Sequence, residues 1–286
     1  MTVRVARHGG PGPDDEAYVR TLSEGLSETI DVLERVPRMF DGAMDAATLH
    51  LCACLAVDPD SSHLRTWDAA VTAMQVTSAA FAAAVRPEGT VECRIADRVR
   101  TIPATGPQYY ADAGNWLSAF WLAIVCREQA RMTQLCEIPI DFLRGSGVEY
   151  DEYIYHWIDA LQAYWLIRPG LGEKLLAAIQ MSSPDVARIA HPEVLDKILY
   201  QPINLFQYFL RKDHDGFNQA LVEALELHKS FWTGGENREK SVKGYVALGP
   251  LAIACLAFDA GFPITVESDY IPRYLLHHFW PGMFPT

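Results

Sequence analysis

The chain has 286 residues, half of them hydrophobic and 11% aromatic, enough for a sizeable core and too apolar for a disordered protein. Its 24 basic and 36 acidic residues leave a formal charge of −12 with no Lys/Arg-rich stripe, so no nucleic-acid partner is expected. An acidic surface keeps a protein soluble and also attracts basic proteins.

Residues 1–13 are rich in Gly and Pro and are expected to form a flexible arm. Residues 14–286 then read as one helical domain, or as two packed halves meeting near 145–148. Asp14, Asp15 and Glu16 suit a helix N-terminus, and Tyr18, Leu22, Leu26, Ile30 and Leu33 form one apolar face up to Pro37. "DGAMDAATLHLCACLAV" and the Ala-rich "HLRTWDAAVTAMQVTSAAFAAAV" predict two more helices, stopping before Asp58-Pro59 and Pro87.

The period then changes. "GTVECRIADRVRTIPATG" alternates Val91, Cys93 and Ile95, then Val99 and Ile102, across a short turn, which predicts a β-hairpin near residues 90–103. An isolated hairpin is marginal in water, so it is expected either to lie as a lid on the helical core or to offer an edge to a partner. Arg94, Arg98 and Arg100 can blunt an edge, which favours the lid.

"YYADAGNWLSAFWLAIVCREQARMTQLC" reads as one helix, apolar on most sides and therefore central. "EIPIDFLRGSG" is a break, with Gly145–Gly147 as a hinge. Tyr150, Ile154, Trp157, Leu161 and Trp165 mark the next helix, ended by Pro169-Gly170. "GEKLLAAIQM", "SPDVARIA", "EVLDKILYQPINLFQYFLRKD" (interrupted at Pro202), "GFNQALVEALELHKSFW" and "SVKGYVALGPLAIACLAFDAG" continue in helical style, the last two separated by the loop "TGGENREK". The fold class expected is all-α, mainly antiparallel helical hairpins, with one small β-hairpin.

The six cysteines, Cys52, Cys54, Cys93, Cys126, Cys136 and Cys255, show no CxxC or regular disulfide spacing. The start has no apolar stretch of a secretory signal, and "WLSAFWLAIVC" and "YVALGPLAIACLAF" fall short of the ~18–20 residues of a membrane span. A reducing, cytoplasmic home without a membrane is expected.

No pattern carries catalysis. His50, Cys52 and Cys54 form H-x-C-x-C, but on a helix position 52 points away from 50 and 54, and a closed zinc site needs four ligands. Glu152, His156 and Asp159 share a helix face without an E-x-x-H or H-E-x-x-H motif. "RPGLGEK" lacks phosphate-loop spacing, and G-x-S-x-G is missing. No catalytic residue, metal or cofactor is expected. In "CLAFDAGFPITVESDYIPRYLLHHF", Gly261 suits a left-handed cap, while Ser268 or Asp269 can cap a short final helix near Pro272.

"YYADAGNWLSAFWLAIVCRE" and "ALGPLAIACLAFDAGFPITVESDYIPRYLL" resemble the bacterial immunity protein family numbered forty-nine, from about residue 14 onwards. Gly114-Asn115-Trp116, Gly261 and Tyr270-Ile271-Pro272 followed by Leu275 and Leu276 carry the likeness. The resemblance implies a mostly helical, cytoplasmic bacterial protein of a polymorphic toxin system, which neutralises a cognate toxin by binding it. It implies no catalytic residues.

A basic toxin would be steered by an acidic inhibitor. Exposed carboxylates with nearby aromatics make Glu149, Asp151 and Glu152, then Glu267, Asp269 and Tyr270, the expected partner-binding residues. Two alternatives stay open: a helical enzyme with dispersed residues around His156 and Asp159, and a helical interaction scaffold.

Overall fold

The computed structural model describes residues 2–280 and 282–284. In chain order the elements are β1 (Val3–Arg4), α1 (Asp15–Val32), α2 (Phe40–Val57), α3 (Leu64–Ala84), β2 (Thr90–Ile95), β3 (Arg98–Pro103), α4 (Ala113–Val125), α5 (Gln129–Cys136), α6 (Ile140–Arg144), α7 (Glu152–Trp165), α8 (Leu171–Met181), α9 (Pro192–Val194), α10 (Gln201–Leu210), α11 (His214–Trp232), α12 (Glu236–Glu239), α13 (Leu248–Asp259), β4 (Val266–Glu267) and α14 (Arg273–Leu276). The protein is thus mostly helical, and its β structure among the described residues is two short pairings. Two compact units divide it: Gly10–Val148 with the segment from His278, and the residues up to Gly9 with Glu149–His277.

In the first unit α1 packs on α2, α2 on α3, and α3 on both α4 and β2. Alanines at 69, 70, 73, 79, 80, 83 and 84 are buried along α3, so neighbouring backbones approach it closely. The β2–β3 hairpin is antiparallel, pairing Cys93 with Arg100 and Val91 with Ile102. Val91, Cys93, Ile95 and Ile102 are buried as expected, but Val99 is 53% exposed and Arg100 takes the buried position. The two-residue period explains this. Positions 99 and 102 lie on opposite faces, so only one of them can face the core.

The single helix expected over 109–136 is two. Arg127 is left-handed at φ +58°, and the Glu128 N–H returns 2.9 Å to the Ala123 carbonyl, closing α4 before α5 begins. Trp116 is fully buried and its indole N–H donates to the Leu135 carbonyl at 2.8 Å, which folds α5 back on α4.

In the second unit α7 and α8 form a hairpin, and α10 packs on α11 and α13. The first residues, expected as a loose arm, are instead placed from Val3: β1 runs parallel to β4, and Val5 and Arg7 are buried. This pairing was invisible in sequence because each strand has only two residues. "SPDVARIA" is not helical, and its N–H groups at Arg188, Ile189 and Ala190 go to the Asp151 carboxylate. The interruption near Pro202 is one wide turn over Leu195–Leu199, after which Pro202 sits in the first turn of α10 where its missing N–H costs little. Two further boundaries differ. "TGGENREK" contains α12, and α13 starts only at Leu248.

By length and composition Pro37–Val57 and Val242–Asp259 could each span a membrane, contrary to the sequence count. Just over half of each window (56%) is buried, as in core helices of the two units.

Candidate functional site

In the first unit a cleft of about 730 Å³ lies between α3, β2 and α5, a size typical of ligand sites. Its walls include Ser78 and Phe81 from α3, the consecutive stretch Thr90–Arg94 of β2, and Arg131 and Leu135 from α5. The hairpin is held over α3 by Gln75, whose side-chain oxygen accepts the Ala96 N–H at 2.8 Å. On its far side, β3 is tied to the last turn of α1 and to Glu34 just past it. Arg100 reaches the Asp31 carboxylate at 3.0 Å and the Ile30 carbonyl at 3.3 Å, and the Glu34 carboxylate accepts the Thr101 N–H at 3.1 Å.

These bonds identify which backbone groups point away from the ladder. Thr101 donates outward to Glu34, and Arg94 accepts outward from the Arg131 guanidinium at 3.2 Å. Glu92 pairs with Thr101 and Arg94 with Val99, so Glu92 and Arg94 belong to the non-hydrogen-bonded set of the antiparallel pair. By alternation Thr90 joins them, and the main-chain groups of 90, 92 and 94 face the cleft.

Arg131 is half-buried, and burial lowers its pKa against the opposing pull of the Cys93 and Glu128 side chains. Burial also pushes the Cys93 thiol up, offset in part by Arg131. The Ser78 hydroxyl, in a residue 5% exposed, finds no hydrogen-bond partner among the described residues. Sequence reasoning considered the hairpin edge but missed Arg131, which stood inside a segment read as one apolar helix.

The six residues expected from sequence all lie in the second unit, with different roles. Glu149, Glu152 and Glu267 are exposed, and Asp269 is half-buried. Asp151 is occupied by its own chain: burial disfavours its charge, but the N–H groups of Ala190, Arg188 and Ile189 outweigh that and hold its pKa below the ordinary carboxylate value.

Tyr270 is 0% exposed, which removes it from any contact surface. Its hydroxyl accepts the His8 N–H at 3.0 Å and lies 2.7 Å from His8 Nδ1, and burial lifts its pKa to about 12. Tyrosine was a poor guide here because its hydroxyl can be satisfied inside a core.

The other sequence constellations are packing features. Cys54 Sγ lies 3.5 Å from His50 Nε2 on the shared face of α2, and burial raises its thiol pKa to about 12, far from a reactive thiolate. No metal-holding group of His, Cys, Asp and Glu occurs among the described residues. Asp159 is bound by Lys174 at 2.6 Å. Gly261, at φ +84°, caps α13 with the Phe262 N–H returning to Ala257, as the closing stretch predicted.

No curated protein and no solved structure matches the chain. A family model described as Immunity protein 49 matches residues 58–275, a span holding Gly114-Asn115-Trp116, α3, the cleft, Gly261 and Tyr270-Ile271-Pro272. With that match over most of its length, the chain belongs to the Immunity protein 49 family.

Proposed function

We propose that this protein protects a bacterium from a cognate toxin of a polymorphic toxin system by binding the toxin stoichiometrically, without catalysing a reaction. The family match over residues 58–275 carries the reading. The net charge of −12 supports a basic toxin surface, because opposite net charges accelerate encounter. Glu149, Glu152, Glu267 and Asp269 are the steering carboxylates in this reading; Asp151 and Tyr270 are left to the fold. All six cysteines are buried and none is in a disulfide, which supports action in the reducing cytoplasm.

The test is a tagged pull-down from the native cell, washed at low and then moderate salt, followed by expression of the captured protein with and without this chain. A stoichiometric partner that arrests growth alone and is relieved by co-expression supports the proposal. Reversing the four carboxylates to Lys should slow association about tenfold or more at low salt and flatten its salt dependence. An unchanged association rate removes these residues from the interface. Failure to relieve growth arrest by any captured protein overturns the toxin-neutralising reading.

A further inference from the structure

We propose that an extended segment of the toxin enters the cleft of the first unit, adds to the hairpin as a third strand along Thr90–Arg94, and sets a carboxylate against Arg131. This rests on the toxin-binding function and names the surface that performs it.

Three independent features of the cleft converge on that occupant. First, five consecutive residues of β2 line it. Alternate side chains of a strand point to opposite faces, so a continuous run marks a main-chain edge and not a face. That edge is about 17 Å long at ~3.3 Å per residue. Second, this edge keeps unused main-chain groups: the outward carbonyl of Arg94 is taken by Arg131, while the N–H and C=O of Glu92 have no partner outside the hairpin among the described residues. An added strand uses that kind of N–H and C=O pair.

Third, the cleft holds a guanidinium with unused donors. Arg131 offers five N–H donors, of which one bond, to the Arg94 carbonyl, is made, and no carboxylate lies within ion-pair distance of it among the described residues. Arg86 and Arg94 line the same cleft and are likewise without an ion pair. Glu92, Glu128 and Glu137 also stand on the rim, so the site is not a general anion sink. The selective feature is the recessed guanidinium, whose fork geometry matches a single carboxylate. The unsatisfied Ser78 hydroxyl supplies a further polar contact at the wall.

The test uses the full chain in complex with the growth-arresting protein captured as above. Glu92→Pro removes an outward N–H that the hairpin ladder does not use, and Arg131→Gln removes the charge while keeping a donor. Each is expected to weaken toxin binding about tenfold or more. Amide exchange at Glu92 and Arg94 should slow in the wild-type complex, while the inward amide of Cys93 reports that both variants keep the hairpin.

If toxin binds wild type and both variants equally, and the Glu92 amide exchanges as fast in the complex as in the free chain, this surface is wrong and the function stands. If no toxin binds wild type, the function fails and this inference fails with it.

Discussion

Ile167 is the residue most at odds with its position. It sits at φ +53° just past α7, where the Arg168 N–H closes the helix onto the Ala163 carbonyl at 2.8 Å, and it is 93% exposed. A β-branched side chain in the left-handed region is strained, and this one has no burial to offset the strain. Gly261 does the same job at the end of α13 with the residue that suits it. Ile167→Gly should therefore stabilise the protein by roughly 1 kcal/mol, the relief of left-handed strain less the added freedom of the unfolded chain. Urea denaturation with an unchanged slope and a raised midpoint is the expected readout. A lowered midpoint would mean that the side chain makes contacts outweighing its strain.

At the scale of elements, the hairpin shows what a sequence pattern can and cannot reveal. Its existence and limits followed from the switch to a two-residue period, because Val91, Cys93 and Ile95 alternate and face the core. Its second strand was misread: Val99 looked like a core residue, yet Arg100 is buried because the end of α1 supplies Asp31 and the Ile30 carbonyl, and the turn after it Glu34, around its guanidinium. Such a match depends on residues about seventy positions away, which local pattern cannot show. The break at Arg127 was hidden for a related reason. A left-handed arginine carries no sequence mark comparable to Gly261, whose cap was predicted.

The same limit governs the candidate site: charge clusters were visible, but that Asp151 holds a loop and Tyr270 the core depends on distant partners. Arg100→Met should accordingly cost about 2 kcal/mol through its lost charged hydrogen bonds. The penalty stays moderate because Asp31, left behind, is largely solvent-exposed. Chemical denaturation, with faster amide exchange at Thr101, checks it; an unchanged midpoint would show that the guanidinium contacts contribute nothing net.

For the whole molecule, acid is the informative perturbation, since several histidines are held neutral. His228 is buried in the second unit with its Nε2 2.9 Å from the Gly244 carbonyl, and burial, the dominant influence, brings its pKa down to about 4 although that hydrogen bond pulls upward. His8 in the same unit is lowered by burial and by Arg7, and His50 in the first unit by burial and by Arg65.

The sign follows from proton uptake. Between a pKa of about 6.5 in the unfolded chain and about 4 in the folded one, the unfolded state binds the extra proton. Stability from neutral His228 is thus complete above pH 6.5 and falls as the pH drops towards 4, by up to roughly 3 kcal/mol at about 1.4 kcal/mol per pKa unit. His228→Gln keeps a donor for Gly244 and removes the titration, so its stability should change less between pH 7.5 and pH 4.5 than that of wild type. Urea unfolding at the two pH values, with amide exchange resolving the two units, is the measurement. Equal losses in wild type and variant would mean that His228 is not the group taking up the proton, and would shift the acid response to His8 and His50.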